Sequence, residues 1–282
     1  MAQPSHAEFV STPTRSITAA GAKFIYREVG AGTGIPLIAL THLGGNLDSW
    51  DPEVVDPLAE DRRVILIAYR GVGASTGSLR DSFADAASDA IAVIRGLGLS
   101  KVDLLGLSMG GMVAQAIIAR EPDLVERLIL AGSGPRGGPG LTEMTGVFLR
   151  GVLRGAVTFA NPTSLLFFTR TPNGTQAARA YQTRLKLRRN ERDAAVGLGV
   201  LRAQLRAVNR WGREQPATQT AFAGRVLILH GDTDRMVPAA NADSLAAQFP
   251  AASVHIYPDS GHGVVSQNHE AVTATIRTFL SR

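Results

Sequence analysis

The chain has 282 residues, 45% of them apolar and 19% charged, with a net charge of +5 and no cysteine. That length suits one large domain with a substantial core, or such a domain carrying an insertion. The missing cysteine excludes disulfides, thiolate nucleophiles and cysteine-ligated metals.

The start of the chain, MAQPSHAEFVSTPTRS, has neither a basic opening nor an apolar stretch of the kind a secretory signal needs. No apolar run approaches the roughly 18 residues of a membrane span. The expectation is a cytoplasmic protein with no membrane partner. Residues 1–13 are polar and proline-containing, and are expected to form a loose tail. Arg15–Ala19 and Ala22–Val29 flank Ala20-Gly21 and read as a hairpin. Ile35–Leu40 is an apolar run that ends in Thr41-His42-Leu43-Gly44-Gly45-Asn46. Asp51–Glu60 reads as a short helix, with Asp51 as its cap before Pro52. Val64–Ala68 is a buried strand that enters the turn Tyr69-Arg70-Gly71-Val72-Gly73. Ser82–Gly96 places Phe83, Ala86, Ala90, Ile91 and Ile94 at helical spacing.

Val102–Leu107 is the next strand, followed by a small-residue helix to Arg120 and a strand over Arg127–Ala131. Strands alternating with helices predict βαβ units and a mainly parallel twisted sheet flanked by helices, an α/β fold. The alternation stops at Gly132-Ser133-Gly134-Pro135. Gly137 to Ala221 reads as helical, and Leu165-Leu166-Phe167-Phe168 is its most apolar patch. Strands return at Arg225–Leu229 and Ser253–Tyr257, with helices over Ala239–Phe249 and His269–Leu280. The expected organisation is a core domain over 14–135 and 221–282, interrupted by a helical cap over 136–220. Residues 131–220 hold 14 Lys/Arg against 4 Asp/Glu. With few aromatics among these arginines and no nucleic-acid motif, they read as solvated helix faces rather than a nucleic-acid surface.

The chemistry centres on Gly106-Leu107-Ser108-Met109-Gly110, set between a buried strand and a helix. Strand, G-x-S-x-G, helix is the context of a nucleophile elbow: the serine sits on a sharp turn and the glycines leave room for the helix. The helix N-terminus then offers free N–H groups to developing negative charge. A serine hydroxyl needs a base, and the base needs an orienting group. His262, in Asp259-Ser260-Gly261-His262-Gly263 after the last strand, is the candidate base. Asp234, in His230-Gly231-Asp232-Thr233-Asp234-Arg235-Met236-Val237-Pro238, is the candidate acid, with Asp232 as the alternative. His230 reads as structural, and His6, His255 and His269 as surface or core residues. No HExxH or clustered His/Asp pattern argues for a metal, and Gly71-Val72-Gly73 is not a dinucleotide fingerprint.

The segments GLSMGG, HGDTDRMVP and PDSGHG, with RGVGAS as a weaker fourth, resemble the α/β-hydrolase superfamily along nearly the whole chain. The resemblance implies Ser108 as nucleophile, Asp234 as acid and His262 as base. It also implies an oxyanion hole from the backbone N–H groups of Met109 and Leu43. Family members commonly carry His-Gly before that second donor, whereas this chain has Thr41-His42. His42 either packs locally or contacts substrate. An aspartate at the elbow would suit dehalogenases and epoxide hydrolases, so serine disfavours both.

The expected function is hydrolysis of a carboxylic ester, lactone or thioester of a small, largely apolar substrate, with no cofactor and no metal. Leu149, Leu165, Phe167, Phe168 and Trp211 are candidates for the pocket lining, beside His42. Carbon–carbon bond hydrolases and cofactor-free haloperoxidases share the triad. A slow-turnover ligand-binding or signalling protein that kept the triad is the alternative outside enzymes. The expected partner is a small molecule, and the protein itself a monomer or homodimer.

Overall fold

Eight strands form one open sheet in the order β1-β2-β4-β3-β5-β6-β7-β8. The computed structural model describes residues 8–78, 81–216 and 220–281, and its elements run as follows. Helix α1 (Glu8–Ser11) precedes the hairpin β1 (Arg15–Ala19) and β2 (Ala22–Val29). Then come β3 (Leu37–Leu40), α2 (Pro52–Ala59), β4 (Val64–Ile67), α3 (Phe83–Gly96), β5 (Val102–Leu107), α4 (Met109–Arg120) and β6 (Val125–Ala131). Four helices follow: α5 (Met144–Thr158), α6 (Pro162–Phe167), α7 (Pro172–Arg184) and α8 (Leu198–Arg213). The chain closes with β7 (Arg225–Gly231), α9 (Ala240–Gln248), β8 (Ser253–Tyr257), α10 (Val264–Gln267) and α11 (His269–Leu280).

Strands β3 to β8 pair in parallel, while β1 and β2 are antiparallel to their neighbours. The central strands are continuous apolar runs because helices cover both faces: Leu37, Ile38, Leu40, Ile65, Leu66, Leu104 and Leu105 are fully buried. The edge strands β1 and β8 are largely exposed. The chain leaves β3 toward β4 on one side and returns to β5 on the other. A crevice must therefore open between the carboxyl ends of β3 and β5, which is where ligands bind in such sheets.

One expectation needs correction here. The loose tail does not extend to residue 13. Residues 1–7, including His6, lie outside the described residues, but Glu8–Ser11 form a helical turn and Phe9 is only 2% exposed. Arg188 donates to the carbonyls of Phe9, Val10 and Thr12, which holds this segment against the protein. The short helix α10, directly after the His262 loop, has no counterpart in the sequence reading. Four residues are too few to show a helical period.

Candidate active site

Ser108 follows β5 directly and has φ 52° and ψ −115°, a left-handed conformation rarely adopted by a residue with a side chain. The turn survives because it is hemmed in: the Ser108 amide donates to the Ala131 carbonyl of β6, and Gly111 donates back to Ser108. Gly110 lies so close to β3 that a Cβ there would stand 2.2 Å from the Leu40 carbonyl oxygen. Only glycine lets α4 start under this turn.

His262 lies in the loop between β8 and α10, and three separate contacts brace that loop. Asp232 accepts the amides of Asp259 and Ser260, Gln267 accepts the amide of Gly261, and the Phe167 carbonyl accepts that of Gly263. Gly261 has no room for a side chain, because a Cβ would meet the Phe167 carbonyl oxygen at 2.5 Å. Asp232, the alternative acid, is thus used to shape the loop and does not reach the imidazole.

Asp234 does reach it. Its Oδ1 accepts the amides of Met236 and Val237, and its Oδ2 lies 2.8 Å from His262 Nδ1. His262 Nε2 lies 2.8 Å from Ser108 Oγ. All three residues are buried. A carboxylate so placed makes Nδ1 the donor and leaves the Nε2 lone pair facing the hydroxyl, the tautomer a general base requires. His230 sits beside them with Nε2 at 2.9 Å from the Val237 carbonyl, and burial lowers its pKa. It stays neutral and tied to the backbone.

Across the crevice, the loop after β3 is also fixed. The Tyr69 hydroxyl donates to the Thr41 carbonyl, and the Gly44 amide donates to Gln204 of α8. Among the described residues, the amides of Leu43 and Met109 have no protein acceptor. Met109 opens α4, so its N–H is one of the helix's free donors. The His42 Nδ1 is 2.9 Å from the Leu43 carbonyl, and burial lowers its pKa to about 4, so the ring is neutral and Nδ1 carries the proton. Its Nε2 is buried with no partner. The Phe167 ring stands edge-on to both histidines, 4.8 Å from His42 and 5.1 Å from His262.

These residues enclose a cavity of about 30 Å³, lined also by Trp50, Asp51, Val54 and Tyr181. That is room for little more than a water molecule. Trp50 Nε1, like His42 Nε2, is a buried nitrogen without a partner. Asp51 is engaged twice, capping α2 and accepting from Nε and Nη2 of Arg184, each at 2.7 Å. The Tyr181 hydroxyl donates to the Ser49 carbonyl. Among the described residues no group of three or more His, Asp or Glu side chains is arranged to hold a metal.

A family profile described as alpha/beta hydrolase fold matches residues 35–268. The chain belongs to the alpha/beta hydrolase family. This hydrolase is 28% identical over 278 residues to a 2-hydroxymuconate semialdehyde hydrolase of Pseudomonas sp. (strain CF600), covering 95% of this chain and 93% of that one. It is 26% identical to a putative esterase/lipase of Haemophilus influenzae, covering 88% and 84%. Among solved structures, an alpha/beta hydrolase fold protein from Chitinophaga pinensis superposes with a TM-score of 0.91 at 29% identity, covering 97% and 98%.

Within the hydrolase, not every expected pocket residue reaches the cavity. His42 and Phe167 line it. Phe168 does not, because it packs with Ala178 and Tyr181 in a small separate cluster. Trp211 stacks edge-on against Phe83 and donates to the Gly134 carbonyl. Leu165 lines a different surface depression, and Leu149 is exposed. Trp50 and Tyr181 replace them. Trp50 could have been suspected from Asn46 to Ser49, a capped turn directly after the β3 loop, whereas nothing local marks Tyr181.

Proposed function

We propose that this protein hydrolyses a carboxylic ester, lactone or thioester through an acyl-enzyme on Ser108. The observation that carries the reading is the chain of two 2.8 Å contacts from Asp234 through His262 to Ser108. His262 takes the Ser108 proton as Oγ attacks the carbonyl carbon, and returns it to the leaving oxygen or sulfur. Water then attacks the acyl-enzyme by the same route. The free amides of Leu43 and Met109 receive the oxyanion. Helices α5 to α8 act as a cap, with Phe167 and Tyr181 as its contribution to the cavity. Phe167, edge-on to His42 and His262, forms the cap's wall of the cavity.

The test is labelling by a fluorophosphonate probe with intact mass, on wild type and Ser108→Ala, followed by a panel of esters and lactones. One adduct on wild type and none on the variant is expected, with ester turnover reduced at least about a thousandfold in Ser108→Ala. A folded wild type that takes no label overturns the reading.

A second reading, hydrolysis of a carbon–carbon bond beside a carbonyl, is favoured by the two partnerless nitrogens in the cavity wall. Neutral His42 Nε2 is an acceptor suited to an enol hydroxyl, and Trp50 Nε1–H is a donor suited to a carbonyl. The relative from Pseudomonas sp. is named for such a substrate. Turnover of 2-hydroxymuconate semialdehyde with inert simple esters would select this reading.

A further inference from the structure

Helix α5 presents an unusual outer face. Leu149, Leu153 and Val157, four residues apart, are 55%, 66% and 71% exposed, and Phe159 at its C-terminal cap is 97% exposed with φ 52°. A helix on a water-facing domain normally turns such a row inward, and contiguous exposed apolar surface marks an interaction site. The adjoining row on the same helix carries Arg150 and Arg154. With Arg170 and Arg235 they line a surface depression of about 390 Å³.

The charge balance of this face is one-sided. Residues 144–170 contain no Asp or Glu. Among the described residues, Arg150, Arg154 and Arg170 have no carboxylate partner, whereas other arginines of the four-helix segment do: Arg184 with Asp51, and Arg206 and Arg210 with Asp81. Arg235 donates to the carbonyls of Leu165 and Phe168, and burial together with Arg170 and Arg154 lowers its pKa. The depression is thus a concentrated positive field beside an apolar row.

We propose that α5 docks this hydrolase on an anionic lipid bilayer, its apolar row entering the interfacial region and the arginines meeting headgroup phosphates. Helices that lie in a membrane surface combine an apolar face with flanking basic residues in this way. A free anion or a nucleic acid would engage the arginines and leave the apolar row in water. A symmetric second copy would set one unpaired arginine cluster against another. No helix among the described residues is long and apolar enough to cross a membrane, so the contact is peripheral.

The experiment is co-sedimentation of the full chain with phosphatidylcholine vesicles, with and without about 30% phosphatidylglycerol, at low and high salt. Binding is expected on the anionic vesicles only, weakened by salt. Arg150→Gln with Arg154→Gln should lower partitioning about tenfold or more. Leu153→Ser with Val157→Ser should also lower it, and both double variants should keep the wild-type unfolding midpoint because these side chains are exposed. Absence of binding to anionic vesicles, or binding indifferent to the arginines, overturns the proposal. So does a dimer in sedimentation velocity that Leu153→Ser with Val157→Ser dissociates, since it would place a second copy on this face.

Discussion

The carboxyl edge of the sheet and the four-helix segment facing it are held differently. At the sheet edge, Ser108 and Asp234 follow the buried strands β5 and β7, and backbone hydrogen bonds fix the Ser108 turn and the Asp234 carboxylate. In the helical segment apolar packing through Leu166, Ala207, Val208 and Trp211 is supplemented by ion pairs: Arg184 grips Asp51, Arg188 and Arg192 approach Asp48, and Arg206 and Arg210 share Asp81. The difference teaches where each region can yield. Close-packed apolar layers resist small displacements. Helices α5 to α7 bury few side chains each, and α6 carries Phe167 over the cavity.

The contrast can be broken most severely at the rigid edge. Asp234→Asn should reduce kcat by about 10³ to 10⁴-fold while the protein stays folded, because the amide no longer holds His262 in its working tautomer. Steady-state turnover of whichever ester responds in the panel would show it. Activity within tenfold of wild type would remove Asp234 from the mechanism.

The next largest effect belongs to the helical segment. Arg184→Met leaves Asp51 buried without its partner and should cost about 3 kcal/mol in urea unfolding. If the loss loosens α7, the same change should also raise KM more than it alters kcat. A loss under about 0.5 kcal/mol would mean that the pair does not tie α7 to α2.

The smallest effect sharpens the comparison at their meeting point. His42 has a folded pKa near 4 against 6.5 when unfolded, so the unfolded chain binds the proton more readily. Stability contributed by neutral His42 is complete above pH 6.5 and is lost as pH falls toward 4, by about 2 kcal/mol between pH 7 and 5. His230, also lowered, acts in the same direction. His42→Gln should therefore flatten, without abolishing, the acid limb of the melting-temperature profile. An unchanged limb would mean that the ring is not held neutral.

The two regions were unequally legible in the sequence. Ser108, Asp234 and His262 each lie just after a strand, Ser108 and His262 among glycines, and strand ends in a parallel sheet converge on one edge, so three distant positions could be read as neighbours. The hairpin β1–β2 and strands β5 and β8 fall where periodicity puts them. The helical segment has no such organising edge. Phe167 and Phe168 are adjacent and equally apolar, yet only the first reaches the cavity. Leu149 has the residue type of a lining position and faces water instead, because which side of α5 is covered depends on the packing of α6 and α8. Tyr181 lines the cavity with Trp50 from more than a hundred residues away, and nothing local around Tyr181 marks it.

The contact between Arg188 and the segment around Phe9 has a consequence for the order of assembly. During synthesis, residues 9–12 leave the ribosome long before the guanidinium that holds their carbonyls. Arg27 likewise has Asp48 early but must await Asp193. Residues 9–12 thus gain an early hold from Asp56, which accepts the Phe9 amide, and a late one from Arg188.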